Sequence, residues 1–202
     1  MSNQIKVADF RDIIGMADPA SGKLTAGGAQ HAIVIVGQAE DGKAFMLDEW
    51  AERTSSDVLV RQIFTLNSRW RCRRFGLESV GQQNLFFQST VREADMRRER
   101  IALVPIDQPT TQDKEFRITS TIQKWCHNGL LFVNETCTGT LRQLERYPAG
   151  LLCDLVDALA SALNMLRDPF ANKRGLLYDP DYDEMARYGQ SQRVPLDNVR
   201  RV

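Results

Sequence analysis

The stretch DIIGMAD, Asp12 to Asp18, places Ile14, Met16 and Asp18 on one strand face and Ile13, Gly15 and Ala17 on the other. Pro19 ends the pairing, and loop signals run from Ala20 to Gly28. HAIVIV, His31 to Val36, is almost wholly apolar and β-branched, as buried strands are. The turn Ala39-Glu40-Asp41-Gly42 leads to a third strand, Lys43 to Asp48, so the chain opens as an antiparallel meander.

Helical periodicity begins after the N-cap cluster Ser55-Ser56-Asp57. Leu59, Ile63, Leu66 and Trp70 recur on one helix face. A short strand, Phe75 to Glu78, follows, then a helix over Asn84 to Arg98 and a strand over Ile101 to Pro105. The pattern continues with a helix from Asp113 to Lys124, a strand from Leu130 to Val133 and a helix from Gly139 to Tyr147. The last helix, Asp154 to Leu166, turns Leu155, Leu159, Ala162, Leu163 and Leu166 to the core. This order predicts an α/β fold, a mixed sheet of three antiparallel strands followed by parallel ones, with helices packed against it. A right-handed crossover through the Ser56 helix sets the Phe75 strand parallel to the first strand and beside it. Residues 1–167 read as one domain, and polar, Gly/Pro-dotted 168–202 as an irregular tail or appendage.

The chain has 202 residues, 43% of them hydrophobic, with 26 Lys+Arg against 26 Asp+Glu. Such a chain suits one globular domain and is not disordered, collagen-like or a small disulfide scaffold. A net charge of zero gives no global pull toward nucleic acid or anionic lipid, so such binding needs a local patch. No apolar run approaches the roughly 18 residues of a membrane span, and the first 12 residues lack a secretory core, so no membrane partner is expected. Cys72, Cys126, Cys137 and Cys153 form no Cys-x-x-Cys pair and read as reduced thiols in a cytoplasmic setting. A zinc site of Cys126, His127, Cys137 and His31 would match no standard spacing.

Asp18 ends the first strand and Glu78 the fourth, so parallel neighbours would deliver both carboxylates to one sheet edge, where open α/β sheets bind ligands. Asp154 and Asp157, three apart, share a helix face that could meet them. No Lys or Arg partner is obvious nearby in sequence, and such a cluster repels itself unless protonated or holding a hard cation. Two divalent ions there could activate a water and stabilise the leaving oxygen of a phosphodiester. Singly, each acid also has an ordinary reading as a turn residue, a strand end or a first-turn acid.

Six segments then carry a resemblance: Ile14 to Pro19 (IGMADP), Ala32 to Gly37 with Lys43 to Trp50 (AIVIVG, KAFMLDEW), Phe75 to Gln82 (FGLESVGQ), Asp113 to Ile118 (DKEFRI), Tyr147 to Gly150 (YPAG) and Asp154 to Leu159 (DLVDAL). Taken in order, they resemble the C-terminal nuclease domain of the large terminase subunit of tailed bacteriophages. The resemblance implies a ribonuclease-H-like fold with helices on both faces of the sheet. It implies metal-dependent cleavage of concatemeric double-stranded viral DNA in the cytoplasm of an infected bacterial host, with two Mg²⁺ or Mn²⁺ ions. Asp18, Glu78 and Asp154 are similar to the family's ligands, and Asp157 to the supporting acid. The implied partners are the terminase ATPase domain, the small terminase subunit and the portal. Many members carry two adjacent acids where this chain has Cys153-Asp154, which leaves the division of duty between Asp154 and Asp157 open. Gly37 to Ala44 has the spacing of a phosphate loop, but Ala44 replaces its Ser/Thr and the stretch reads as a hairpin turn, so no ATPase domain is expected in this chain.

Arg61 to Leu77 holds Arg69, Arg71, Arg73 and Arg74 and no acid. Leading into the Glu78 strand, these arginines are expected to flank the site and grip DNA phosphates, together with Lys114 and Arg117. A solvated helix end is the alternative for the arginines. Two other functions stay open: a junction resolvase or integrase-type nuclease on the same fold, and a non-catalytic docking module of the packaging motor.

Overall fold

The computed structural model describes residues 4–20, 29–78, 84–107, 113–150, 152–169, 193–195 and 199–201. A short strand, β1 (Gln4–Lys6), and a 3-10 turn (Val7–Asp9) precede β2 (Phe10–Asp18), β3 (His31–Ala39) and β4 (Ala44–Glu52). Then come α1 (Ser56–Trp70), β5 (Arg74–Glu78), α2 (Asn84–Arg97), β6 (Leu103–Ile106), α3 (Lys114–His127) and β7 (Leu131–Asn134). Two helices follow, α4 (Thr138–Arg146) and α5 (Asp154–Met165), and two strands of three residues, β8 (Arg193–Pro195) and β9 (Val199–Arg201).

Among the described residues the main sheet has seven strands in the order β6-β5-β2-β3-β4-β7-β9. β2, β3 and β4 are antiparallel neighbours, whereas β5 runs parallel to β2 and β6 parallel to β5. The crossover through α1 therefore lands as expected, and the sheet is the mixed one of three antiparallel strands followed by parallel ones. Gly37 to Ala44 forms the hairpin between β3 and β4, with Gly42 at φ +87° in the turn. The C-terminal stretch expected to be irregular contributes strands instead: β8 pairs with β1, and β9 adds an antiparallel edge to β7. Three-residue strands carry too short a pattern to be read in sequence.

The alternation in β2 feeds two cores. Ile14 and Met16 pack with α3 and α5, while Ile13 and Ala17 pack with α1 on the other face. α5 is buried from Asp154 through Leu163 because it lies on β2 and β3 and is covered by α3 and α4. Gly15 faces Phe75 across the β2–β5 pair, where a Cβ would stand 2.3 Å from the ring. The missing side chain is what lets the two parallel strands close up with an aromatic between them.

Candidate active site

β2 and β5 pair in register up to Ala17 and Leu77, so the next residues, Asp18 and Glu78, end side by side. Alternation puts Asp18 with Ile14 and Met16, and Glu78 with Gly76, on the face that α5 covers. The two carboxyl groups hydrogen-bond to each other. Burial lifts the Asp18 carboxyl well above the usual carboxylate range. The bond to Glu78 and the charges of Glu78 and Asp157 lift it further, and only Lys114 opposes them. Forced proximity to a second carboxyl favours the neutral form of Asp18.

α5 supplies the other two acids. Its N-cap, Cys153, makes no side-chain cap bond. Gln143 of α4 takes over, its Oε1 accepting from the backbone N–H of Leu155 (2.9 Å) and Val156 (3.2 Å). Asp154 is thereby released from capping and turns to the β2–β3 side, where its Oδ2 accepts from Gln30 N–H at 3.0 Å. Asp157 is buried and lies close enough to Asp18 to raise its pKa. Cys153 lies in the field of Lys114, Asp154, Asp157 and Asp18, and burial pushes its thiol upward.

The cluster has cationic partners after all, and they come from α3. Lys114 Nζ reaches Asp157 Oδ2 at 2.7 Å, and Arg117 Nη2 reaches Asp157 Oδ1 at 2.5 Å. Arg117 Nη1 also meets Ser161 Oγ at 3.4 Å. Burial alone would lower the Lys114 amine, but the bond to Asp157 and the charges of Asp157, Asp18 and Cys153 raise it above its ordinary value. Both cations were expected on a DNA-facing surface. Arg117 is turned inward instead, and Lys114 is half-exposed and holds the acids. Asp157 has an oxygen committed to each cation.

The Arg69–Arg74 cluster is also displaced from its expected place. β5 rises about 13 Å between Arg74 and Glu78, so these arginines lie at the end of the strand opposite the carboxylates. Arg69 pairs with Asp48 at 2.9 Å and Arg74 with Asp12 at 2.5 Å, while Arg71 caps α1 in the left-handed conformation at φ 51°. A chain leading into a strand arrives at its far end, and adjacency in sequence concealed that.

Three supporting residues escaped sequence reading. Glu49 caps α4 through Gly139 N–H (2.7 Å) and Thr140 N–H (2.8 Å). Gln143 caps α5, as above. Buried His31 accepts from Ala20 N–H through Nδ1 (2.9 Å) and faces Thr54 O through Nε2 (3.1 Å), partners that assign the proton to Nε2. Burial lowers its pKa, so the ring is neutral and pins the chain two residues beyond Asp18. An almost invariably apolar strand opened by a histidine was the one available hint.

The residues fit a divalent cation in part. Asp18, Glu78 and Asp154 offer hard oxygen donors, and the raised Asp18 carboxyl marks where positive charge is short. Asp157, the α5 acid whose charge acts on Asp18, holds one cation on each oxygen and keeps a lone pair on each for an ion. Among the described residues, no three His, Cys, Asp or Glu side chains stand ready-grouped around an ion position, and the same holds for the zinc set of Cys126, His127, Cys137 and His31.

No family model and no curated protein matches the chain. Among solved structures it is similar to the yeast mitochondrial Holliday junction resolvase Ydc2, at TM-score 0.48 and 11% identity over 73% of this chain and 75% of that one. It is also similar to T. thermophilus RuvC in complex with a Holliday junction substrate, at TM-score 0.43 and 14% identity over 75% of this chain and 90% of that one.

Proposed function

We propose that this protein is a metal-dependent endonuclease that hydrolyses phosphodiester bonds in double-stranded DNA. One observation carries the reading: Asp18 and Glu78 are held against their mutual repulsion at the ends of adjacent parallel strands, beneath the acidic first turn of α5. A fold spends stability on such a pair where a cation is to be bound. Asp18, Glu78 and Asp154 would hold Mg²⁺ or Mn²⁺, with two ions as the resemblance implies. Bound there, the ions supply the Lewis acidity that phosphodiester hydrolysis requires. The chain's own groups do the rest. Asp157, clamped by Arg117 and Lys114, orients the α5 turn that carries Asp154. Lys114 brings positive charge beside Asp18. The terminase resemblance supports the finer assignment: cutting of concatemeric viral DNA during packaging, alongside an ATPase domain, small subunit and portal.

The test is plasmid nicking and linearisation with Mg²⁺ or Mn²⁺. Cleavage by the wild type and its loss in folded Asp18→Ala are expected, and equal cleavage by both rejects the assignment. A four-way junction run beside linear duplex tests the substrate. Preference for the junction would move the assignment from packaged duplex to branched DNA, and metal binding without cleavage of either would leave a docking module.

A further inference from the structure

Lys114 and Arg117 lie three apart in the first turn of α3 and share the helix face that meets Asp157. Their situations differ. Arg117 is 12% exposed at its side chain and is tied to both Asp157 and Ser161, so it stays in place. Lys114 is 54% exposed, and Asp157 is its one ion-pair partner among the described residues. An ammonium on a flexible stem, half in water, can exchange its partner where a buried guanidinium cannot. The charge of Lys114 does not act on Asp157 alone. The ammonium lies in the field of Asp18 and Cys153 as well, and it is the cation that counters the repulsion between Asp18 and Glu78. It stands within the acid cluster and does there what a bound metal ion would do.

Charge sets how much metal the cluster can take. Asp18, Glu78, Asp154 and Asp157 bring four negative charges when ionised, and Lys114 and Arg117 return two. One divalent ion fills that deficit. A second would overfill it, and would have to approach Asp157 past an ammonium bonded at 2.7 Å. We propose that Lys114 is a resident counter-ion of the acid cluster, so that the free protein takes up one divalent ion tightly and admits a second weakly, when the lysine swings out. This rests on the metal-dependent nuclease reading and adds to it how the ions are loaded: the lysine, not the supply of carboxylates, limits the second one.

The test is Mn²⁺ calorimetry on the full chain and on its Lys114→Met and Lys114→Arg variants, without DNA. Arg117 still holds Asp157 in both variants, and thermal melts in metal-free buffer check that they fold. The wild type should show one strong binding event per chain. Lys114→Met should gain a second, or strengthen a weak second one about tenfold or more, because a unit charge about 6 Å from a divalent ion repels it by that factor even in water. Lys114→Arg keeps the charge and should bind like the wild type. Equal ion counts and affinities in wild type and Lys114→Met, weaker binding in Lys114→Met, or an arginine variant that behaves like the methionine one would overturn the counter-ion role and leave the metal site standing. Absence of Mn²⁺ binding in all three proteins would instead sink the nuclease reading, and this inference with it.

Discussion

Arg117→Ala decides whether α3 serves the interior of the site or its surface. Arg117 is 12% exposed at its side chain and Asp157 5%, so the pair is out of water. Removing one partner of such a pair costs about 3–5 kcal/mol, because the remaining charge stays buried. Lys114 still holds the second oxygen of Asp157. The lower end, about 3 kcal/mol, is therefore expected, and for a chain of this size that lowers the thermal midpoint by roughly 6–12 °C. Circular dichroism melts and urea unfolding measure it. The double variant Arg117→Met/Asp157→Leu should recover most of the loss, since an apolar pair of similar volume carries no stranded charge. A midpoint shift under about 2 °C, with coupling below about 0.5 kcal/mol in the double-mutant cycle, would refute the buried clamp. If Arg117 instead grips DNA, the same variant keeps its stability and flattens the salt dependence of duplex binding.

Gly139→Ala puts a Cβ 2.8 Å from Leu155 Cδ1 and 2.9 Å from Glu49 Oε1, so the α4 cap must retreat; a loss of about 2 kcal/mol is expected in urea unfolding. Asp18→Asn relieves the repulsion with Glu78, so without divalent metal it should melt no lower than the wild type, while the stabilisation that Mg²⁺ gives the wild type disappears. Because folding lowers the His31 pKa, the unfolded chain takes up the proton first; stability from His31 is complete above about pH 6.5 and is lost as pH falls below it. Urea midpoints across this range should fall more steeply for the wild type than for His31→Gln, and parallel curves would contradict the neutral, backbone-pinning ring.

Elements with a strong period were legible, because burial on two faces leaves a mark within a few residues. DIIGMAD and HAIVIV declared their strands, and the Leu59–Trp70 stripe declared α1. The neighbourhood of Asp18 and Glu78 followed from the handedness of one crossover, a rule that needs no side-chain detail. Side-chain partnerships across distant segments left no such mark. Lys114 and Arg117 look like surface cations beside Glu115 and Phe116, and nothing local says that they meet an acid 40 residues on. Arg71–Arg74 were read correctly as a cation cluster but assigned to the wrong end of β5, because local charge says nothing about strand direction.

Glu49 shows most clearly why the rest was hidden. Along β4, Phe45 and Leu47 face α1, and strict alternation would send Glu49 the same way. The pairing slips between Ile35 and Val36, so that Leu47 is an extra residue opposite β3. Beyond it, Asp48 faces α1 and takes the Trp70 indole N–H at 2.8 Å, and Glu49 emerges on the α5 side. There it caps α4, α4 presents Gln143 to cap α5, and α5 begins with Asp154. One inserted residue in a strand remote from the acids thus sets the helix that carries one of them. A bulge is fixed by the partner strand and not by its own stretch of chain, so this relay exists only once the sheet has formed, and deleting Leu47 should disorder the α5 end of the site while leaving Asp18 and Glu78 paired.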